Sequence, residues 1–157
     1  DFATKYADGS YTFHGRSDEV LNVNGVLYGT EHLEGAILRD KQRRVDSPVG
    51  HCAVVGLPDD IAGEVPLAWV TPADPSTPPT AKDFLRLFRL VQEVAGAVAV
   101  KFIVVPSLPE SFSGKILRRV LAAICRRKPL CDVSGIANPK CLPILVDAFA
   151  AWEEAQA

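Results

Sequence analysis

Apolar and polar positions along the chain fall into short runs with two different periods. Tyr11-Thr12-Phe13 alternates and Val20-Leu21-Asn22-Val23 offers it a partner, so residues 9–24 read as a small β-hairpin behind the Asp8-Gly9-Ser10 turn signal. Gly25 and Gly29 then bracket the apolar Val26-Leu27-Tyr28. Leu33, Ile37 and Leu38 recur at helical spacing behind Thr30, which stands where an N-cap belongs. The charged stretch 41–49 reads as a loop. Residues 51–57 and 65–71 are apolar runs of strand length, separated by the Pro58-Asp59-Asp60 turn.

Four prolines between residues 72 and 80 exclude regular structure there. Leu85, Phe88 and Val91 then define one face of a helix over 81–94, and residues 98–105 form a third apolar strand. After the proline-containing loop 106–113, a helix is expected over 114–124 with Ile116, Leu117, Val120, Leu121 and Ile124 inward and Arg118 and Arg119 on its polar side. Periodicity fades between Cys125 and Lys140, then returns as a terminal helix over 141–156 that carries Trp152. The mixed order of elements predicts an α+β domain, a small three-stranded sheet flanked by helices plus an N-terminal two-stranded hairpin.

Composition narrows the function classes. A chain of 157 residues with 48% hydrophobic and 23% charged positions is one globular domain. Seventeen basic against nineteen acidic residues give a charge of −2, where a nucleic-acid binder is usually clearly basic. No apolar run reaches the ~20 residues that span a bilayer. Neither nucleic acid nor membrane is an expected partner, and the expected location is intracellular, in the cytoplasm. The start on Asp1 and the lack of any Met suggest a piece of a longer protein. Cys52, Cys125, Cys131 and Cys141 lack zinc-knuckle spacing and read as reduced thiols; His14, His32 and His51 show no mutual spacing, and no metal site is expected.

Four polar clusters could carry chemistry, and each also has a plain reading. Ser111-Phe112-Ser113-Gly114-Lys115 offers a bare backbone and an ammonium to an anion, or is a surface turn. Gly15-Arg16-Ser17-Asp18 offers a planar donor fork, or a solvated ion pair. Asn22-Val23-Asn24-Gly25 favours positive φ, as any hairpin turn does. Gly56-Leu57-Pro58-Asp59-Asp60 with Gly63-Glu64 clusters acids, most simply as a tight turn.

In this order the clusters resemble the adenylate-forming ligase superfamily, which includes acyl-CoA synthetases, peptide-synthetase adenylation domains and luciferases. The resemblance runs from Asp1 and Asp8-Gly9-Ser10-Tyr11 through residues 15–25 and Ala53-Val54-Val55-Gly56-Leu57-Pro58-Asp59 to Ser113-Gly114-Lys115-Ile116-Leu117-Arg118-Arg119. The tail Asp132-Val133-Ser134-Gly135-Ile136-Ala137-Asn138-Pro139 is most similar to the short-chain, acetyl-CoA synthetase-like branch. It implies the small C-terminal lid domain of such an enzyme, with residues 1–18 ending the hinge and ribose-contacting segment, 19–125 the lid, and 126–157 an extension with a terminal helix.

The resemblance also implies the chemistry. A carboxylate attacks the α-phosphate of ATP, giving acyl-adenylate and pyrophosphate, and a thiol of CoA or of a carrier-protein phosphopantetheine then displaces AMP, with Mg²⁺ held mainly outside this chain. The implied partners are the large N-terminal domain of the same enzyme, a small carboxylic acid and, for the second thiol, an acyl carrier protein. Lys115 matches the catalytic lysine that bridges carboxylate and ATP. Asp1 and Arg16 match the nucleotide contacts, Asp18 the hinge, and Asn24 and Gly25 the pantetheine channel. Acetyl-CoA synthetases usually carry an arginine two residues after that glycine, where this chain has Leu27. The acceptor therefore stays open, leaning to CoA. The alternatives are an adenylation subdomain that loads a carrier protein and a degenerate interaction module; retention of Lys115, Arg16 and Asp1 speaks against the latter.

Overall fold

The structure, a computed structural model, describes residues 2–16, 19–130 and 132–157. In chain order its first elements are β1 (Phe2–Lys5), β2 (Tyr11–Gly15), β3 (Val20–Val23), β4 (Val26–Gly29) and α1 (Thr30–Arg43). There follow β5 (Val49–Asp59), β6 (Gly63–Pro72), α2 (Ala81–Ala95), β7 (Lys101–Val104), α3 (Arg118–Cys125) and α4 (Cys141–Gln156). β1 and β2 pair as a separate antiparallel hairpin, and the other strands form a five-stranded sheet. Within it β4, β3, β6 and β5 lie in that order, all antiparallel, and β7 adds parallel to β6 beside Leu67–Val70.

The apolar runs of β5 and β6 are continuous because the sheet is covered on both faces. Cys52, Val54, Ala68 and Val70 point to one side, where Leu33, Ala36 and Ile37 of α1 and Leu87, Leu90 and Val91 of α2 close over them. Their neighbours Ala53, Val55, Leu67 and Trp69 point to the other, against Val120, Leu121 and Ile124 of α3 and Leu145 and Phe149 of α4. The result is a helix–sheet–helix sandwich. Trp69 is fully buried and stacks on Phe149, whose other neighbour Trp152 donates its indole N–H to the Phe102 carbonyl at 2.9 Å. The terminal helix is thereby fixed to β7.

The α+β class and the N-terminal two-stranded hairpin hold, and α4 spans the residues that periodicity assigned to it. The pairing of the hairpin differs. Tyr11 and Phe13 face Lys5 and Ala3 of β1, while Val20–Val23 pairs with Val26–Gly29 through the Asn24-Gly25 turn, so the sheet gains β3 and β4 beside the three expected strands. Gly9, at φ 87, closes the first hairpin, and Asp8 Oδ1 accepts the Ser10 N–H at 2.9 Å.

Helix boundaries moved for local reasons. Gly29 is the N-cap of α1 and Thr30 its first residue, and the helix continues into the charged stretch as far as Arg43. Interior attachments carry it onward: buried Asp40 accepts Arg86 Nε at 2.8 Å and the Ser47 hydroxyl at 2.7 Å. α2 starts on a reciprocal cap, with Asp83 accepting the Thr80 N–H at 2.8 Å and Thr80 Oγ1 accepting the Asp83 N–H. α3 begins at Arg118, four residues later than expected, because residues 110–116 are engaged in a hairpin of their own.

Candidate active site

Lys115 sits on a three-residue loop. The Ser111 N–H donates to the Lys115 carbonyl at 2.9 Å, and the Gly114 N–H donates to the Ser111 carbonyl at 2.9 Å. Gly114 adopts φ 79, the left-handed conformation that ends such a turn and that glycine alone adopts without strain. Ser111 Oγ accepts the Lys115 N–H at 3.1 Å and lies 2.9 Å from Ser113 Oγ, so the hydroxyls stiffen the loop. Lys115 therefore does not open a helix; α3 begins three residues later, at Arg118. Its side chain is exposed, and among the described residues its ammonium meets no carboxylate.

The loop borders an open cleft of about 940 Å³ between the N-terminal end of α1, β5 and α3. Six cationic side chains line it (Arg16, Lys115, Arg118, Arg119, Arg126 and Lys128) against Glu19, Glu31 and Glu64. An excess of positive charge in a concave, partly apolar site favours an anionic ligand. Among these, Arg118, Arg119 and Arg126 hold structural partners, Arg119 reaching the Asp132 carbonyl at 3.4 Å. Arg118 forks buried Glu34, which also accepts the Val54 N–H at 2.8 Å; this pairing holds the guanidinium charged and raises its pKa. Arg126 reaches Glu64 at 2.8 Å. Thr30 Oγ1 is buried at the cleft wall and has no hydrogen-bond partner among the described residues.

Lys115 and Arg16 thus line one cleft. Asn24 and Gly25 are elsewhere: at φ 53 and φ 82 they form the two-residue turn between β3 and β4, and neither lines the cleft. Nothing lies within 4 Å of a Cβ built on Gly25, so the turn is an open surface. Asp1 and Asp18 lie outside the described residues. The acids of the β5–β6 turn act locally, Asp59 Oδ1 accepting the N–H groups of Ile61 and Ala62 at 3.0 and 2.8 Å. No group of three or more His, Cys, Asp or Glu side chains among the described residues is placed to hold a metal ion.

Sequence reading missed three supports of the site. Glu34 had a signal, a carboxylate between Leu33 and Ile37 on the inward face of an amphipathic helix. Glu64, which bonds the Asn22 N–H at 3.0 Å and Arg126, had none beyond the turn acids around it. The third is the tail. Asn138 Oδ1 accepts the Glu110 N–H at 2.9 Å and its amide donates to the Leu108 carbonyl at 2.8 Å, so the aperiodic segment braces the lysine loop.

Residues 46–115 match the family model described as the AMP-binding enzyme C-terminal domain. An acetyl-coenzyme A synthetase of Pyrobaculum arsenaticum is 36% identical over 159 residues, covering 100% of this chain and 22% of that protein. A Brucella canis acyl-CoA synthetase structure is 31% identical, with TM-score 0.58 over 80% of this chain and 22% of the other. An acetoacetyl-CoA synthetase from Streptomyces lividans shares the fold over 96% of this chain and 22% of its own, at TM-score 0.72 and 22% identity. The chain spans about a fifth of the length of the curated relatives it matches, 22% in the first two. On these likenesses the chain belongs, through residues 46–115, to the AMP-binding enzyme C-terminal domain family, and along its length it is similar to acetyl-coenzyme A synthetases.

Proposed function

We propose that this domain is the mobile lid of an ATP-dependent acid–thiol ligase. Its large N-terminal domain binds a small carboxylic acid, ATP and Mg²⁺, and the acyl group passes through an acyl-adenylate to CoA or to a carrier-bound pantetheine. The reading places the enzyme inside the cell, where ATP is supplied, with the cytoplasm as the proposed compartment. The observation that carries the reading is the pairing of a stiff, exposed Lys115 loop with Arg16 at one cationic cleft.

In the first half-reaction two anions, carboxylate and triphosphate, approach each other. Lys115 offsets that repulsion by placing an ammonium between them, and Arg16, with Asp1, holds the nucleotide. In the second, rotation about Asp18 turns the domain and brings the Asn24-Gly25 turn to the thiol channel. That turn lies off the cleft, which suits two half-reactions served by two faces of one domain. Leu27, 45% exposed beside it, offers no cation to the phosphates of CoA, so the pantetheine arm has to supply more of the binding.

The test is acid-dependent ATP–pyrophosphate exchange by the full-length enzyme with acetate, propionate, butyrate and acetoacetate. Lys115→Ala is expected to abolish exchange while thioester formation from pre-made acyl-adenylate persists. Equal loss of both half-reactions would contradict a role for Lys115 specific to adenylation.

A further inference from the structure

The tail after α3 is attached to the lysine loop by a dense set of polar contacts. Asn138 bonds the Glu110 N–H and the Leu108 carbonyl through one side chain, at 2.9 and 2.8 Å. The Ala137 N–H donates to the Glu110 carbonyl at 2.7 Å, and Ser111 forms an antiparallel bridge with Ile136, which is buried. Glu110 in turn bridges Ile116 across the base of the loop. On the near side, Arg119 of α3 reaches the Asp132 carbonyl with two nitrogens at 3.4 Å. Both backbone groups of Glu110 are therefore satisfied by residues 137–138, not by the loop or by the helix that follows it.

We infer that Asn138 is a positioning residue for Lys115: with the backbone of residues 136–137 it forms a brace that holds the loop base still, so that the ammonium arrives in the reacting geometry. The inference rests on the reading of Lys115 given above. A long, exposed lysine has many rotamers, and precision at its tip depends on what fixes its backbone. The Ser111 and Gly114 contacts stiffen the loop internally, but they do not fix its orientation on the domain. Asn138 and Ala137 do, from 22 to 23 residues away in sequence, counted from Asn138 and Ala137 to Lys115. The Asn24-Gly25 turn lies in another part of the sheet and does not depend on the brace.

The experiment uses the full-length enzyme with Asn138→Ala and, separately, Asn138→Asp, which keeps an acceptor for the Glu110 N–H and loses the donor to the Leu108 carbonyl. Lys115→Ala serves as the reference. The expected result is a fall of about tenfold in kcat for acid-dependent pyrophosphate exchange, the effect of about one hydrogen bond lost from the reacting arrangement, with KM for ATP nearly unchanged. Thioester formation from pre-made acyl-adenylate should stay within about twofold of the parent, and amides 110–115 should exchange deuterium faster. Exchange activity at the parental level in both variants, or an equal fall in both half-reactions, would overturn the brace. Retention of exchange by Lys115→Ala would instead overturn the underlying reading, and the inference with it.

Discussion

Arg118 grips Glu34 through both carboxylate oxygens, Nε to Oε1 at 2.7 Å and Nη2 to Oε2 at 2.6 Å, and so ties the start of α3 to α1 across the cleft floor. The same carboxylate caps the Val54 N–H of β5. Arg118 also lies 3.8 Å from Glu19, which stands one residue beyond the proposed hinge. One guanidinium thus links both helical layers to the segment where the chain enters the sheet.

Removing one side of a buried pair leaves the other charge without a partner, which costs more than the pair contributed. Glu34→Ala should therefore lower unfolding stability by roughly 3 kcal/mol in urea at neutral pH, with Val54 losing its acceptor as well. Arg118→Lys should cost less but still about 1 kcal/mol, since an ammonium cannot reproduce the two parallel bonds. A loss below that in Glu34→Ala would show that the pair is solvated.

Gly56 is needed because of Glu64. A Cβ at residue 56 would lie 2.5 Å from Glu64 Oε1 and 2.8 Å from its Cδ. The carboxylate would swing away and release the Asn22 N–H and Arg126. Gly56→Ala should cost about 1–3 kcal/mol, and the double change with Glu64→Ala should cost clearly less than the two single losses added. Strict additivity in a denaturation cycle would contradict this coupling.

The cap of α2 makes stability depend on acid. Hydrogen bonds from the hydroxyl and N–H of Thr80, with Arg86 behind them, lower the Asp83 carboxyl to about 2. A carboxyl depressed in the folded state stabilises fully above its ordinary value of about 3.9, and that stability drains away as the pH falls through the folded value. Asp83→Asn should thus be less stable than the parent at pH 7, by about 1 kcal/mol, and the gap should shrink steadily below about pH 4. A gap constant between pH 7 and pH 2.5 in thermal melts would rule out this linkage.

Burial pushes the Cys125 thiol up to about 12 and the Cys52 thiol higher still. Both are buried free cysteines without a thiolate at neutral pH. Iodoacetamide at pH 8 should leave these two positions unlabelled in the native protein and label both in denaturant, read by peptide mass spectrometry. Rapid native labelling of Cys52 would mean that the α1 layer opens.

Much of this molecule was legible because its signals are local. The α4 boundaries and the apolar runs of β5 and β6 follow from patterns acting within one segment, whereas the expected α2 face of Leu85, Phe88 and Val91 is rotated: Leu85 is exposed and Leu87, Leu90 and Val91 point inward. Lys115, Arg16 and the Asn24-Gly25 turn, whose roles are proposals, were singled out by type and order. The strand partners were not: Tyr11–Phe13 could pair forward or backward with equal local propensity, and the choice of β1 is decided by the turn at Gly9. The start of α3 was misplaced because Gly114 and the Glu110–Ile116 bridge hold the preceding residues in a hairpin although their apolar spacing is helical.

By itself the sequence determined the class of fold and most of the elements, and it singled out Lys115 and Arg16 as the residues proposed for the chemistry, since each of these readings depends on residue type and order. Tertiary structure alone decided that Glu34 meets Arg118 across 84 residues and that Asn138 braces Glu110 across 28. It also placed Lys115 and Arg16 at one cleft and the Asn24-Gly25 turn outside it. The physical reason is that a polar side chain leaving water accepts whichever partner the packed backbone brings within hydrogen-bond distance, and no local pattern records which one that is.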